Sequence, residues 1–187
     1  VSLINRKFFF DYVRKALFKG SLNQEQVEGL DTLLDVWEEN YSGEDDRWLA
    51  YILGTAYHEV DRRMQPIEEY GKGKGHKYGV PDPATKKAYY GRGFVQLTWK
   101  NNYDKMGKKI KVDLVNHPEK ALDLDIASKI IFVGMVEGDF TGKKLSDYFS
   151  SADEDWVHAR RIVNGLDRAN KIAGYARKFY AAISYTS

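Results

Sequence analysis

The stretch AYHEVDRRMQPIEEYGKG, residues 56–73, contains the end of a helix and the start of a long irregular segment, and where that change falls decides the fold. His58 and Glu59 sit side by side as they do in zinc peptidases, but such a helix needs a second histidine one turn on, and position 62 is arginine. A guanidinium offers no lone pair to a metal. The other histidines, 76, 117 and 158, are scattered and the chain has no cysteine, so no metal site is expected and Glu59 has to be explained without one. The helical pattern runs from about Asp45 to Arg63, and Pro66 disfavours helix at Gln65. From 66 to 90 the periodicity is lost, and that stretch holds three of the four prolines and four glycines. Loops of this length in a compact domain usually have a function.

Working outward, the first helix starts with Asn5 as its cap, places Phe8 or Phe9, Tyr12 or Val13 and Ala16 or Leu17 on one stripe, and stops at Gly20. The second opens with a capping box, Asn23 with Gln26, and carries Val27, Leu30, Leu34 and Trp37 at helical spacing. Past the loop, FVQLTW (94–99) reads as either a short strand or a buried turn. A helix is expected to begin near Pro118 and continue as a strongly apolar one through Val136. DEDWVHARRIVNG (153–165) reads as another, and a last helix covers about Arg168 to Ser184. No repeat is visible. The fold class expected is mainly α, one domain over 1–187 with two lobes separated by the 66–90 loop.

Composition narrows the function classes. The net charge of +2 is too mild for a nucleic-acid binder. The basic clusters GKGKGHK (71–77) and KMGKKIK (105–111) read as solvated loops or as attraction to an anionic polymer, and the first lacks the ending and preceding strand of a phosphate loop. With no cysteine the fold needs no oxidising compartment. Asp11 interrupts the apolar run of VSLINRKFFFDYV before it reaches signal-peptide length, and IIFVGMV (130–136) is far short of the roughly 20 residues of a membrane span. A target outside the cytoplasm would need another route of release.

In the 45–63 helix, Ile52, Thr55 or Ala56, and Glu59 fall on one stripe, which puts an acid where an apolar residue is expected. Desolvation there would keep the carboxyl protonated to higher pH, as a general acid requires. The competing reading pairs Glu59 with Arg62 or Arg63 on a solvated face. Glu68 and Glu69 follow beyond Pro66, where the chain can turn back and bring a second carboxylate across a cleft. Inverting glycosidases hold their two carboxyls about 6.5–9.5 Å apart. A Glu-Glu pair in a polar loop is otherwise simply surface.

YYGRGFVQLTWKNNY (89–103), with the His-Glu pair and the glutamate nine residues later, resembles glycoside hydrolase family 19, the chitinase-like family, whose signature reads close to YYGRGPIQLSWNxNY. The likeness continues through VDLVNHPEKAL to IVNGLD (162–167), and the N-terminal part resembles the phage endolysin branch. It implies a lysozyme-like or chitinase-like two-lobed helical domain with a cleft, no separate wall-binding domain, and no cofactor. By that resemblance Glu59 is the general acid, Glu68 the general base, and Thr98 stands where a serine orients the attacking water. Gln96, Asn102 and Asn164 match sugar-binding positions, while Tyr90, Arg92 and Trp99 are either substrate contacts or structural. Arg177 is one place from an arginine expected near the C-terminus, and Glu69 competes with Glu68. Two motifs depart from the family pattern: HETGG is HEVDR here, and one glycine of NGG is missing.

The function implied is an endolysin, a muramidase cutting the β-1,4 bond between N-acetylmuramic acid and N-acetylglucosamine of peptidoglycan with inversion. A chitinase, a non-catalytic wall-carbohydrate-binding protein and a lytic transglycosylase are the alternatives. The partner expected is the peptidoglycan glycan strand, with no nucleic acid and no membrane insertion, and the chain is expected to be a monomer. Made in a host cytoplasm without a signal peptide, it would reach the periplasmic wall after holin-type release.

Overall fold

The computed structural model describes residues 3–184. Among them are six α-helices: α1 (Arg6–Ala16), α2 (Gln24–Asn40), α3 (Asp46–Glu59), α4 (Lys100–Ile110), α5 (Leu124–Glu137) and α6 (Ala169–Ile183). Two two-residue strands, β1 (Ile67–Glu68) and β2 (Arg92–Gly93), are the only named strands of that span. No helix of the described residues is long and apolar enough to cross a membrane.

Local chemistry sets the helix starts. The Asn5 side chain accepts the Phe8 N–H at 2.9 Å. Asn23 and Gln26 form the reciprocal box, with the Gln26 N–H donating to Asn23 Oδ1 at 2.8 Å and the Asn23 N–H to Gln26 Oε1 at 3.0 Å. Asp45 caps α3 by accepting from the Arg47 N–H. The helix starts where expected, but the C-terminal end of α3 and its sides differ from expectation. Every residue from Leu49 to Tyr57 is buried, so α3 is a core helix apolar all round rather than a striped surface one. It ends at Glu59, four residues before Arg63, because Asp61, Arg62 and Met64 take left-handed backbone angles that a right-handed helix cannot accommodate.

Two compact units divide the described chain. The first takes the residues up to Met64 and those from Gly134 on. In it α3 lies along α6, α1 packs on α6, and α2 flanks α3. The approach of α3 to α6 depends on Gly54: a Cβ there would stand 2.8 Å from the Ala176 nitrogen. The second unit is Gln65–Val133 and contains the whole 66–90 stretch. Its centre is the antiparallel β1–β2 ladder, Ile67 opposite Gly93 and Glu68 opposite Arg92, with the 3-10 turn Pro118–Leu122 packed on β2.

FVQLTW takes one of its two expected forms, and two other segments differ from expectation. FVQLTW is the buried turn and not a strand, closed by the Arg92–Leu97 bridge with Phe94, Val95 and Leu97 inside. DEDWVHARRIVNG is no α-helix. Asp155 accepts the His158 N–H at 3.0 Å and meets its ring nitrogen at 2.8 Å, turning the chain locally, and only the 3-10 turn His158–Ile162 follows. Near Pro118 a separate 3-10 turn precedes α5 in place of one continuous helix.

Candidate active site

In the first unit the backbone stops being helical at Glu59, whose side chain remains 22% exposed. Its Oε1 lies 2.5 Å from Nη1 of Arg160, a side chain only 4% exposed. Arg62 and Arg63, the partners expected from spacing, are not the ones used: Arg62 reaches Asp61 instead. Arg160 sits in the 3-10 turn and also donates from Nε to the Asp167 carbonyl at 3.2 Å. The Asn164 N–H donates to the Arg160 carbonyl at 3.0 Å, so Glu59, Arg160 and the NG segment form one connected group. Asn164 itself is exposed, its side-chain oxygen accepting from the Gly165 N–H. Burial pulls the neighbouring His58 below the usual imidazole range, against the opposing pull of Glu59. Arg177 joins none of this. It is exposed, with its guanidinium 5.9 Å above the Trp156 ring.

The second unit holds most of the other candidates, and β1–β2 pairing organises them. Glu68 is 37% exposed at its side chain, with Lys72 Nζ 3.1 Å from Oε1 and the Tyr90 hydroxyl donating to Oε2 at 3.1 Å. The Lys72 contact, more than the Tyr90 hydrogen bond, holds the Glu68 carboxyl below the usual range, so it is ionised at neutral pH. Tyr90 is itself fixed, because the buried Arg92 guanidinium lies 3.7 Å over its ring. Arg92 Nη1 in turn donates to the Tyr103 hydroxyl at 3.0 Å, which donates to the Tyr90 carbonyl at 2.6 Å. Burial pushes the Tyr103 phenol up to about 12, which keeps that donor protonated.

Glu69 is spent on structure. One carboxylate oxygen accepts from the Tyr78 hydroxyl and the other from the Gly91 N–H, both at 2.9 Å, while its own N–H donates to the Gly91 carbonyl. Gln96 donates to the Ile67 carbonyl at 3.2 Å, and its amide lies where a Cβ on residue 91 would be, which explains the glycine there. Asn102 donates to the Thr98 carbonyl at 2.9 Å, joining those two candidates. Trp99 is 48% exposed and meets the Tyr78 ring at 5.4 Å.

Residues 60–137 match the glycoside hydrolase family 19 model, described as Chitinase class I. Chitinase C of Streptomyces griseus HUT6037 superposes with a TM-score of 0.63 at 19% identity, covering 98% of this chain and 94% of that one. A bacterial family 19 chitinase superposes with a TM-score of 0.59 at 17% identity, covering 97% and 95%. The chain shares the fold of these chitinases, and its residues 60–137 are similar to the family 19 model. Among curated relatives, the acidic endochitinase of Petunia hybrida is 61% identical over 77 residues, 38% of this chain and 28% of that protein. The chain thus spans under a third of the length of that relative. The matched segment begins at residue 60, one position after Glu59, and includes Glu68 and the whole 89–103 motif.

The contact that sequence reasoning missed is Arg160. No spacing rule links it to Glu59 across 101 residues. The one available signal was an arginine embedded among apolar residues just before the NG segment.

Proposed function

We propose that the chain hydrolyses β-1,4 bonds in N-acetylhexosamine glycans, with peptidoglycan cut between N-acetylmuramic acid and N-acetylglucosamine as its substrate. The observation that carries the reading is the division of labour between adjacent glutamates. Glu69 has both oxygens bound within the fold, whereas Glu68 is an exposed, ionised carboxylate aimed by a tyrosine of the signature. That is the condition of a general base. Glu59 is assigned the proton donated to the bridging oxygen, and Thr98 the orientation of water, which leads to inversion.

Charge favours the cell wall over chitin. Residues 65–133 contain 13 Lys and Arg against 8 Asp and Glu, while the rest of the chain has 16 against 19. Peptidoglycan carries the free carboxylates of its stem peptides and chitin carries no charge, so a cationic segment bearing the signature suits the former. The reaction is assigned to the wall, reached from the cytoplasm by holin-type release, and to a monomer. A chitinase reading has its own support in the names of the relatives. Digestion of purified sacculi, followed by mass spectrometry, decides between them. Fragments ending in reducing muramic acid are expected, whereas hydrolysis of colloidal chitin without wall release would reverse the order. Anhydro ends would identify a transglycosylase. Proton NMR of the first product should show the α anomer.

A further inference from the structure

Trp99 combines three features that stability alone does not account for. Its backbone stands at φ +72°, ψ +134°, a region where a bulky side chain is a true outlier. That conformation is imposed from both sides: the Trp99 N–H donates to the Tyr89 carbonyl at 2.9 Å, and the Trp99 carbonyl accepts from Asn102 and Tyr103 as α4 begins. The indole so presented is half exposed and does not fill a core. Strain maintained to display a large aromatic surface is a pattern of ligand-binding sites.

The indole borders a cavity of about 260 Å³ with Tyr78, Val80, Pro81, Tyr89 and Lys100 among its walls, all within the second unit. Ligand pockets run from about 300 to 1,000 Å³, so this one has room for a single small ring rather than a chain of them. Its walls suit a neutral guest. Lys100 is neutralised by Asp82 at 2.9 Å, and the Thr85 N–H, followed by that Lys100 contact, holds the Asp82 carboxyl down to about 2. Tyr78 is stacked on His76 at 4.9 Å, so the edge that meets Trp99 is braced. The same Tyr78 donates its hydroxyl to Glu69, the residue next to Glu68.

We infer that this cavity is a sugar subsite, in which one N-acetylhexosamine ring lays its C–H face on the Trp99 indole and turns its acetamido methyl toward Val80 and Pro81. An indole provides a large, rigid, apolar face at low entropic cost, and a pyranose offers the matching flat patch of C–H groups. The ligand's identity rests on the hydrolase reading, while the existence of the site rests on the strained, exposed tryptophan and its pocket.

The test uses the full chain in a Glu59→Gln background and calorimetric titration with the N-acetylglucosamine tetramer. Trp99→Ala is expected to weaken binding tenfold or more and Trp99→Phe less than threefold. Trp99→Gly should bind as poorly as Trp99→Ala yet melt about 2–4 °C higher, since both lack the indole and only glycine accepts the backbone angle without strain. Binding by Trp99→Ala within twofold of the parent, or no tetramer binding by any variant, overturns the inference. So does an indole whose loss lowers melting equally in both variants with affinity kept. If the unsubstituted chain cleaves no glycan but Trp99-dependent binding persists, the hydrolase reading falls and the subsite stands. Cleavage together with Trp99-independent binding removes the subsite alone.

Discussion

Lys72 is where the chemistry of a single residue is easiest to read. It lies on the glycine-rich turn, with Gly73 beside it at φ +75° and packed so closely on Gly79 and Tyr90 that no side chain fits. The turn therefore places the ammonium against Glu68 without a helix to do so. Because this contact is the largest cause of the lowered Glu68 pKa, removing it should let the carboxyl protonate at higher pH. The sign follows: a base with a depressed pKa stays ionised further into acid, so Lys72→Met should move the acidic limb of the kcat/KM profile upward in pH. Tyr90→Phe should do the same more weakly, and Lys72→Arg should restore the limb. Both groups are exposed, so raising salt on the parent enzyme should reproduce part of the shift. A limb that stays in place in all variants would mean Glu68 is not the titrating base. Glu59 calls for a different expectation, because its partner Arg160 is buried. Glu59→Gln should cut kcat by about 10²–10⁴. It should also cost about 2 kcal/mol through the lost charge-assisted bond. That is a fall in Tm of about 4–8 °C for a chain of this size. Calorimetry checks the stability effect separately from the assay.

Between elements, legibility in the sequence followed the range of the forces. Asn5, Asn23 with Gln26, and the glycine-rich irregularity of 66–90 are local signals acting over three or four residues, and each appears where spacing put it. Two readings failed where tertiary or side-chain contacts decided. The stripe through Ile52 and Glu59 dissolved because α3 is surrounded on all sides, and the 153–165 helix gave way to the Asp155 turn and the placement of Arg160 on Glu59. In the candidate site, Glu68 and Tyr90 are joined by a hydrogen bond across 22 residues, a link that only the signature, and not any periodicity, could suggest. The close approach of α3 to α6 supplies the prediction at this scale. Gly54→Ala would drive a methyl to 2.8 Å from the Ala176 nitrogen, backbone that cannot rotate away. Overpacking of this kind costs about 1–3 kcal/mol. Since Glu59 ends the same helix, activity should fall with the melting temperature. Thr55→Val should do the opposite to stability. The Thr55 hydroxyl is buried without a hydrogen-bond partner, and its removal should raise Tm by about 2–4 °C, read by calorimetry.

For the molecule as a whole, the net charge of +2 hides an uneven distribution, since the cationic excess is confined to 65–133 and the remainder is acidic. Lys74, Lys77 and Lys86 in that segment are exposed. They have no carboxylate partner among the described residues, so their charge is available to an incoming polymer. Attraction of this sort acts on encounter and is screened within a Debye length of about 8–10 Å at ordinary ionic strength. It therefore separates the two candidate substrates by salt rather than by structure. Turnover of sacculi should drop steeply between about 0.05 and 0.5 M salt, carried mainly by KM, whereas turnover of a neutral N-acetylglucosamine oligomer should hardly change. Replacing Lys74, Lys77 and Lys86 together by glutamine should weaken the salt dependence on sacculi and leave the oligomer rate alone. Parallel salt curves for the two substrates would remove charge as a determinant and leave the shared sugar ring as the whole basis of recognition, which is what a chitinase requires.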